Sequence, residues 1–245
     1  MKMKILWMYH DIMDLYGDRG NIQVLKKRCL DRDIEVSIDT CGIGEQKNLN
    51  DYHLIFIGGG ADREQHLLYQ DLVNRKQDIL DAIKAHTFVL LICGGYQFFG
   101  KYYIDSNGNR IEGLGLFEYY TESNSDVGRC IGNIEIEADL DGEKVSIVGF
   151  ENHGGQTKNI KTPLGKVIKG HGNVYRGEFE GFYNGQVLGT YMHGPLLPKN
   201  PEMADFIIKK ALHKDYEEVM LKPLDDTLEL EAKETMRKRM QQEKG

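Results

Sequence analysis

Cysteine is scarce. The 245 residues hold only four, at positions 29, 41, 93 and 130. No two form a C-x-x-C pair, which argues against a disulfide framework and against a structural zinc site. No run approaches the roughly 20 apolar residues of a membrane span. The apolar stretch within residues 1–10 is too short for a signal peptide, so a reducing cytoplasm is the expected compartment. Positive charge is short as well: 31 Lys and Arg against 38 Asp and Glu leave a net charge of -7. That disfavours a nucleic-acid partner, because phosphate binding rests on clustered cations. Proline is rare at 5 residues while glycine reaches 28. Glycine without proline is not a low-complexity linker; it marks turns where backbone must approach something closely. A phosphate loop G-x-x-x-x-G-K-[ST] is missing, and so is a G-x-G-x-x-G after a strand.

What is present alternates. Residues 5–8, 34–38 and 53–57 read as strands, and 22–32 has helical spacing. Asp62 reads as the cap of one long helix with apolar residues at Leu67, Leu68, Leu72, Ile79, Leu80 and Ile83. Residues 88–92, Phe-Val-Leu-Leu-Ile, form a continuous apolar run, as expected of a strand buried on both faces. This order argues for an α/β fold with a mostly parallel sheet covered on both sides. Beyond about residue 111 the texture changes. Residues 131–137 and 144–148 alternate, punctuated by Gly and Asn, and predict antiparallel strands and hairpins. Residues 187–191 return to a buried strand and 202–213 to a helix. A charged, amphipathic helical tail is expected over about 224–244, and nothing divides residues 1–245 into separate domains.

Cys93 is the sharpest feature. It follows the most apolar strand and precedes Gly94-Gly95. A nucleophile on a strand-to-helix turn needs small neighbours, because the turn is strained and the side chain must be reachable. A helix N-terminus aimed at a thiol favours thiolate, and the Gly94 N–H would face a developing oxyanion. The alternative is a buried cysteine at a strand end. Gly58-Gly59-Gly60 ends the preceding strand and can present N–H groups to an anion, or serve as an ordinary turn. His193 follows the strand 187–191, where strand ends of open α/β sheets converge, and is a candidate base for the thiol. His153 competes with it from a polar loop, Phe150-Glu151-Asn152-His153-Gly154-Gly155.

These residues carry a resemblance. Cys93-Gly94-Gly95-Tyr96-Gln97 is similar to the C-x-G-x-Q nucleophile motif of class I (triad) glutamine amidotransferases. Leu15-Tyr16-Gly17-Asp18-Arg19-Gly20-Asn21, the Gly58–Gln65 segment, the Phe150–Gly155 segment and Thr190-Tyr191-Met192-His193-Gly194-Pro195 narrow it to the cobyric-acid-synthase-like branch. Within that branch the chain looks most like the GatD-type glutaminase subunits of lipid II isoglutaminyl synthases. The resemblance runs from about residue 4 to the tail. It implies a three-layer, flavodoxin-like fold with Cys93 as nucleophile and His193 as general base and acid. It implies an oxyanion hole of Gly60 and Gly94, and L-glutamine held by Gln97, Arg129, Asn152 and His153. No metal or cofactor is implied in this chain.

Two positions depart from the family pattern. Leu91 stands where most relatives have Gly two residues before the nucleophile. Pro195 stands where most have an acid two residues after the histidine. The group that orients His193 must then come from elsewhere in the chain, from a partner, or be absent; a partner carboxylate is the expectation. The resemblance further implies a heterodimer with a Mur-ligase-like (MurT-type) synthetase that holds ATP and Mg and amidates the α-carboxyl of D-glutamate in lipid II. Rival readings are an ammonia donor to a corrinoid carboxylate, a cysteine peptidase, or a binding module on the same fold.

Overall fold

The computed structural model describes residues 1–123 and 127–242. The chain opens with β1 (Lys2–Met8), α1 (Arg19–Leu30), β2 (Glu35–Cys41) and β3 (Leu54–Ile57). Two helices follow, α2 (Asp62–Asn74) and α3 (Lys76–Lys84), then β4 (Phe88–Ile92) and the short α4 (Gly94–Phe98). The second half adds β5 (Tyr102–Ile104), β6 (Arg110–Glu112), β7 (Tyr120–Ser123), β8 (Cys130–Leu140) and β9 (Glu143–His153). It continues with β10 (Gly155–Lys158), β11 (Gly165–Lys169), β12 (Phe179–Glu180), β13 (Phe182–Tyr183), β14 (Val187–Thr190) and β15 (Met192–His193). Helices α5 (Pro201–Leu212) and α6 (Thr227–Gln242) close the described chain.

The central sheet runs β13-β14-β4-β3-β1-β2, and every pair in it is parallel except β13 with β14. All residues of β3 and β4 are buried, which is why those strands read as continuous apolar runs. The step β1–α1–β2 moves one way across the sheet, and β3–α2–α3–β4 moves the other. Right-handed crossovers in opposite directions put their helices on opposite faces. Accordingly α1 packs with α5, and α5 lies against β1 and β4. The chain therefore reverses between β1 and β3, and the crevice at their carboxyl ends is the place where ligands bind in such sheets.

The second half builds two further sheets, β10-β7-β5-β6 and β12-β11-β8-β9-β15. The long hairpin β8–β9 turns at Asp141 (φ 59) and Gly142 (φ 90), the left-handed pair that matches strand twist.

Three expectations need correction. The helix beginning near Asp62 is two helices, broken at Arg75 (φ -89, ψ 0), with Ala61 rather than Asp62 as its N-cap. The guanidinium of Arg75 bonds Asp71 and the carbonyl of Glu45 at the break. The segment carrying Asn152 and His153 is no loop: it ends β9, paired to Ile131 and Cys130 of β8. The tail does form a helix, but its apolar stripe packs only in part, through Met240. Leu228 is 75% exposed, whereas Lys233 and Arg237 face the body and pair with Glu202 and Glu135. The expected end of that helix at Lys244 lies outside the described residues.

Candidate active site

Four carboxyl-terminal strand ends supply the site. The loop after β1 brings Asp18, the turn after β3 brings Gly58-Gly59-Gly60, β4 delivers Cys93, and β14 leads through Tyr191 to His193. Cys93 has φ 49 and ψ -103, a left-handed conformation in which a side chain is strained. It is 6% exposed. Its N–H donates to the Thr190 carbonyl at 2.8 Å, and its own carbonyl accepts from the Gln97 N–H as the first bond of α4.

His193 is fully buried, and its Nδ1–H donates to Asp18 Oδ1 at 3.3 Å. The other Asp18 oxygen accepts from the Gly59 N–H at 2.7 Å. So the orienting acid is not missing: it comes from this chain, 175 residues upstream of the histidine. That corrects the expectation of a partner carboxylate, and the physical reason is the sheet order, which sets the β1 loop beside the end of β14. Nε2 of His193 has no hydrogen-bond partner among the described residues. Burial alone would lower the His193 pKa, but the adjacent Cys93 and Asp18 outweigh it and raise it to about 10. The imidazole is thereby favoured as imidazolium beside the thiol.

Gly59 is where Cys93, His193 and Asp18 meet. A Cβ there would lie 2.7 Å from His193 Cε1, 3.2 Å from Asp18 Oδ2 and 3.4 Å from Cys93 Cβ. None of Gly58, Gly59 and Gly60 has a positive φ; these glycines serve close approach rather than turn geometry. The Gly60 and Gly94 N–H groups, the expected oxyanion donors, have no hydrogen-bond acceptor among the described residues.

A cavity of about 620 Å³ opens over Cys93, lined among others by Gly60, Gln65, Gln97, Arg129, Asn152 and His153. Its floor is a network: Gln97 accepts from Gln65 Nε2 and donates to the Tyr191 hydroxyl, which is bonded in turn to Thr157. His153 stacks on Tyr191 with ring centroids 3.7 Å apart and bonds the Gly155 carbonyl through Nδ1. It is thus committed to the cavity wall, while His193 is the histidine beside the thiol. On the rim Arg129 donates to Asn152 Oδ1 at 2.9 Å, and Asn152 Nδ2 donates to the Tyr16 hydroxyl at 2.6 Å. The Tyr16 ring meets His193 edge-on at 5.0 Å. Of the residues singled out in the sequence, Cys93, Gly60, Gln97, Arg129, Asn152 and His153 line one cavity, while Gly94 and the fully buried His193 lie outside its lining. Asp18 and Tyr16 join the site although the resemblance implies no role for either; their signal in the sequence is a polar, glycine-flanked loop after the first strand.

A nucleophile with a charged base, an orienting carboxylate and two unpaired N–H groups can carry acyl transfer through a thioester. Among the described residues no group of three or more His, Cys, Asp or Glu side chains could hold a metal ion. No helix among them is long and apolar enough to cross a membrane.

Residues 4–201 match the CobB/CobQ-like glutamine amidotransferase domain. The chain is 40% identical over 245 residues to the lipid II isoglutaminyl synthase (glutamine-hydrolyzing) subunit GatD of Staphylococcus aureus, covering 99% of both chains. It is 36% identical to the same-named subunit of Streptococcus pneumoniae, covering 95% of this chain and 90% of that one. A probable cobyric acid synthase of Methanocaldococcus jannaschii is 34% identical over 63% of this chain, but over only 32% of its own length. A crystal structure of a glutamine amidotransferase superposes with a TM-score of 0.54 at 14% identity, covering 84% of this chain and 98% of that one, a likeness of fold.

Proposed function

The chain belongs to the CobB/CobQ-like glutamine amidotransferase family, and we propose that it is the glutamine-hydrolysing subunit of a lipid II isoglutaminyl synthase, passing ammonia to a separate synthetase. The observation that carries this is the buried Cys93–His193–Asp18 set, together with Gly60 and Gly94 N–H groups that have no acceptor among the described residues. Both near-full-length relatives are named as subunits of that synthase. A subunit implies a partner to carry the acceptor site, and the likeness to the cobyric acid synthase covers only 32% of that protein. That partner is a Mur-ligase-like, MurT-type synthetase. It binds ATP and Mg, activates the α-carboxyl of D-glutamate in lipid II, and forms a heterodimer with this chain in the cytoplasm.

The chemistry follows from the geometry. The Cys93 thiolate attacks the side-chain carbonyl carbon of L-glutamine, and the oxyanion forms against the Gly60 and Gly94 N–H groups. The imidazolium of His193 gives its proton to the departing nitrogen, and ammonia leaves. The neutral imidazole then takes a proton from water, whose hydroxide opens the thioester and releases glutamate and the thiolate. Asp18 holds Nδ1–H throughout, so that Nε2 faces the thiol. Arg129, freed from Asn152, grips the substrate α-carboxylate as a planar fork.

Ammonia release from L-glutamine by the purified chain tests this directly. Cys93→Ala should abolish it without unfolding the protein, and a glutamine-like diazo-ketone should label Cys93 while sparing Cys29, Cys41 and Cys130. Release by Cys93→Ala within tenfold of the parent chain would end the reading. Arg129→Ala should raise KM about tenfold with a smaller effect on kcat, and Arg129→Lys should rescue it only in part, for want of the fork. The acceptor is tested by adding the synthetase, ATP, Mg and lipid II and following glutamine-dependent amidation.

A further inference from the structure

Glu180 ends β12 without any solvent exposure, and no step above uses it. A carboxylate at full burial calls for a reason, because taking it from water costs several kcal/mol. Its partners supply one. Oε1 accepts from the Thr190 hydroxyl and, at 2.8 Å, from the Tyr191 N–H. Those two residues are where the chain leaves the central sheet: Thr190 is the last residue of β14, paired to β4, and Met192 and His193 pair with β9 in another sheet. At such a junction the Tyr191 N–H has no ladder partner, and the Glu180 carboxylate takes that part.

Thr190 is tied on three sides. Its carbonyl accepts from the Cys93 N–H at 2.8 Å, its hydroxyl donates to Glu180, and the same hydroxyl accepts from the Met192 N–H at 3.0 Å. The residue after Met192 is His193. The peptide from 190 to 193 is thus the covalent bridge between the nucleophile's backbone and the base, and Glu180 is what grips it. Resting on the reading of Cys93 and His193 as nucleophile and base, we infer that Glu180 is a positioning residue: its carboxylate clamps the Thr190–Tyr191 junction and so fixes the approach of His193 to Cys93. It touches neither substrate nor thiol.

The geometry also says which replacement should be tolerated. Both donors converge on one oxygen, and Oε2 has no hydrogen-bond partner among the described residues. Burial pushes the Glu180 carboxyl up to about 7, against the pull of the Thr190 hydroxyl and the Tyr191 N–H. Near neutrality a neutral side chain of the same shape is therefore a close mimic, and in Glu180→Gln the amide oxygen would keep both bonds.

Two readouts separate positioning from general support. One is glutamine turnover, split into kcat and KM. The other is the rate of Cys93 alkylation by iodoacetamide against pH, which reports how the imidazole sits against the thiol and needs no glutaminase activity. Glu180→Ala should lower kcat ten- to a hundredfold, the scale of an ångström-sized misplacement, with KM within about threefold. It should also move the alkylation profile to higher pH, and Glu180→Gln should restore both. A folded Glu180→Ala with the parent kcat and the parent alkylation profile would overturn the clamp, as would a Glu180→Gln chain no better than Glu180→Ala. Should the alanine chain fail to fold, Thr190→Val carries the same test, since it removes the hydroxyl at equal volume; an unmoved alkylation profile there also overturns it. If the parent chain does not hydrolyse glutamine, the function proposed above fails, and the alkylation profile still decides the clamp.

Discussion

Removing the Asp18 carboxylate should do more than delete one hydrogen bond. In the proposed reaction His193 must hold a proton to give one to ammonia, and a pKa raised from 6.5 to about 10 keeps that proton bound into the alkaline range. Asp18 is one of the groups that raise it. In Asp18→Asn the alkaline limb of kcat against pH should therefore move to lower pH, and kcat should fall. The fall should stay below the roughly 10⁴ seen on losing the acid of a Ser-His-Asp enzyme, because a thiol depends less on its base. A pH–rate series on the two chains checks both. Gly59→Ala is the steric counterpart. Its new methyl would strike His193 Cε1 at 2.7 Å, and the overlap can be relieved only by moving the base or the turn. Loss of turnover together with about 1–3 kcal/mol of stability is expected, measured by ammonia release and urea unfolding.

At the scale of elements, the break between α2 and α3 gives a clean test. Arg75 is 5% exposed, and its guanidinium ties Asp71 to the Glu45 carbonyl. Arg75→Ala leaves the Asp71 carboxylate with only the Tyr9 hydroxyl and the Gly44 N–H as donors and takes the guanidinium from the Glu45 carbonyl, and should cost about 1–3 kcal/mol in urea unfolding while leaving KM for glutamine unchanged. The same break explains what pattern reading could and could not see. The apolar spacing from Leu67 to Ile83 runs through Arg75 without interruption, so periodicity predicts one helix; the kink comes from contacts with a loop some 30 residues earlier. Cys93 was legible because its cue is local, an apolar strand running straight into glycines. The Asp18–His193 pair was not, since it joins the first strand's loop to the last strand's end and depends on sheet order. The tail misled for a related reason: α6 docks through ion pairs of Lys233 and Arg237 as well as through Met240, so its apolar residues mark the buried face only in part.

For the molecule as a whole, the in-chain origin of Asp18 changes what a partner has to contribute. With His193 already oriented, the isolated 245-residue chain should turn over glutamine by itself, and a synthetase should act on access to the cavity and on the fate of ammonia. Glutamine turnover measured alone and with the synthetase, ATP, Mg and lipid II decides the point. Stimulation above about a hundredfold would mean that the machinery is finished only in the complex. The rim is where such an effect would register, since the Arg129–Asn152–Tyr16 chain spans the mouth from β9 to the loop after β1.

Cys93 sits at φ 49 and ψ -103, and that conformation has a cost which the chain bears for as long as it is folded. Glycine adopts it freely. Cys93→Gly should accordingly relieve strain of about 1–3 kcal/mol, offset by about 0.5–1 kcal/mol of extra backbone entropy in the unfolded chain. The expected variant is catalytically dead yet melts a few degrees higher than its parent. Selection for durability alone would drive this position away from cysteine, so the thiol's persistence would register the demand for chemistry, a trade between longevity and reactivity written into one dihedral angle.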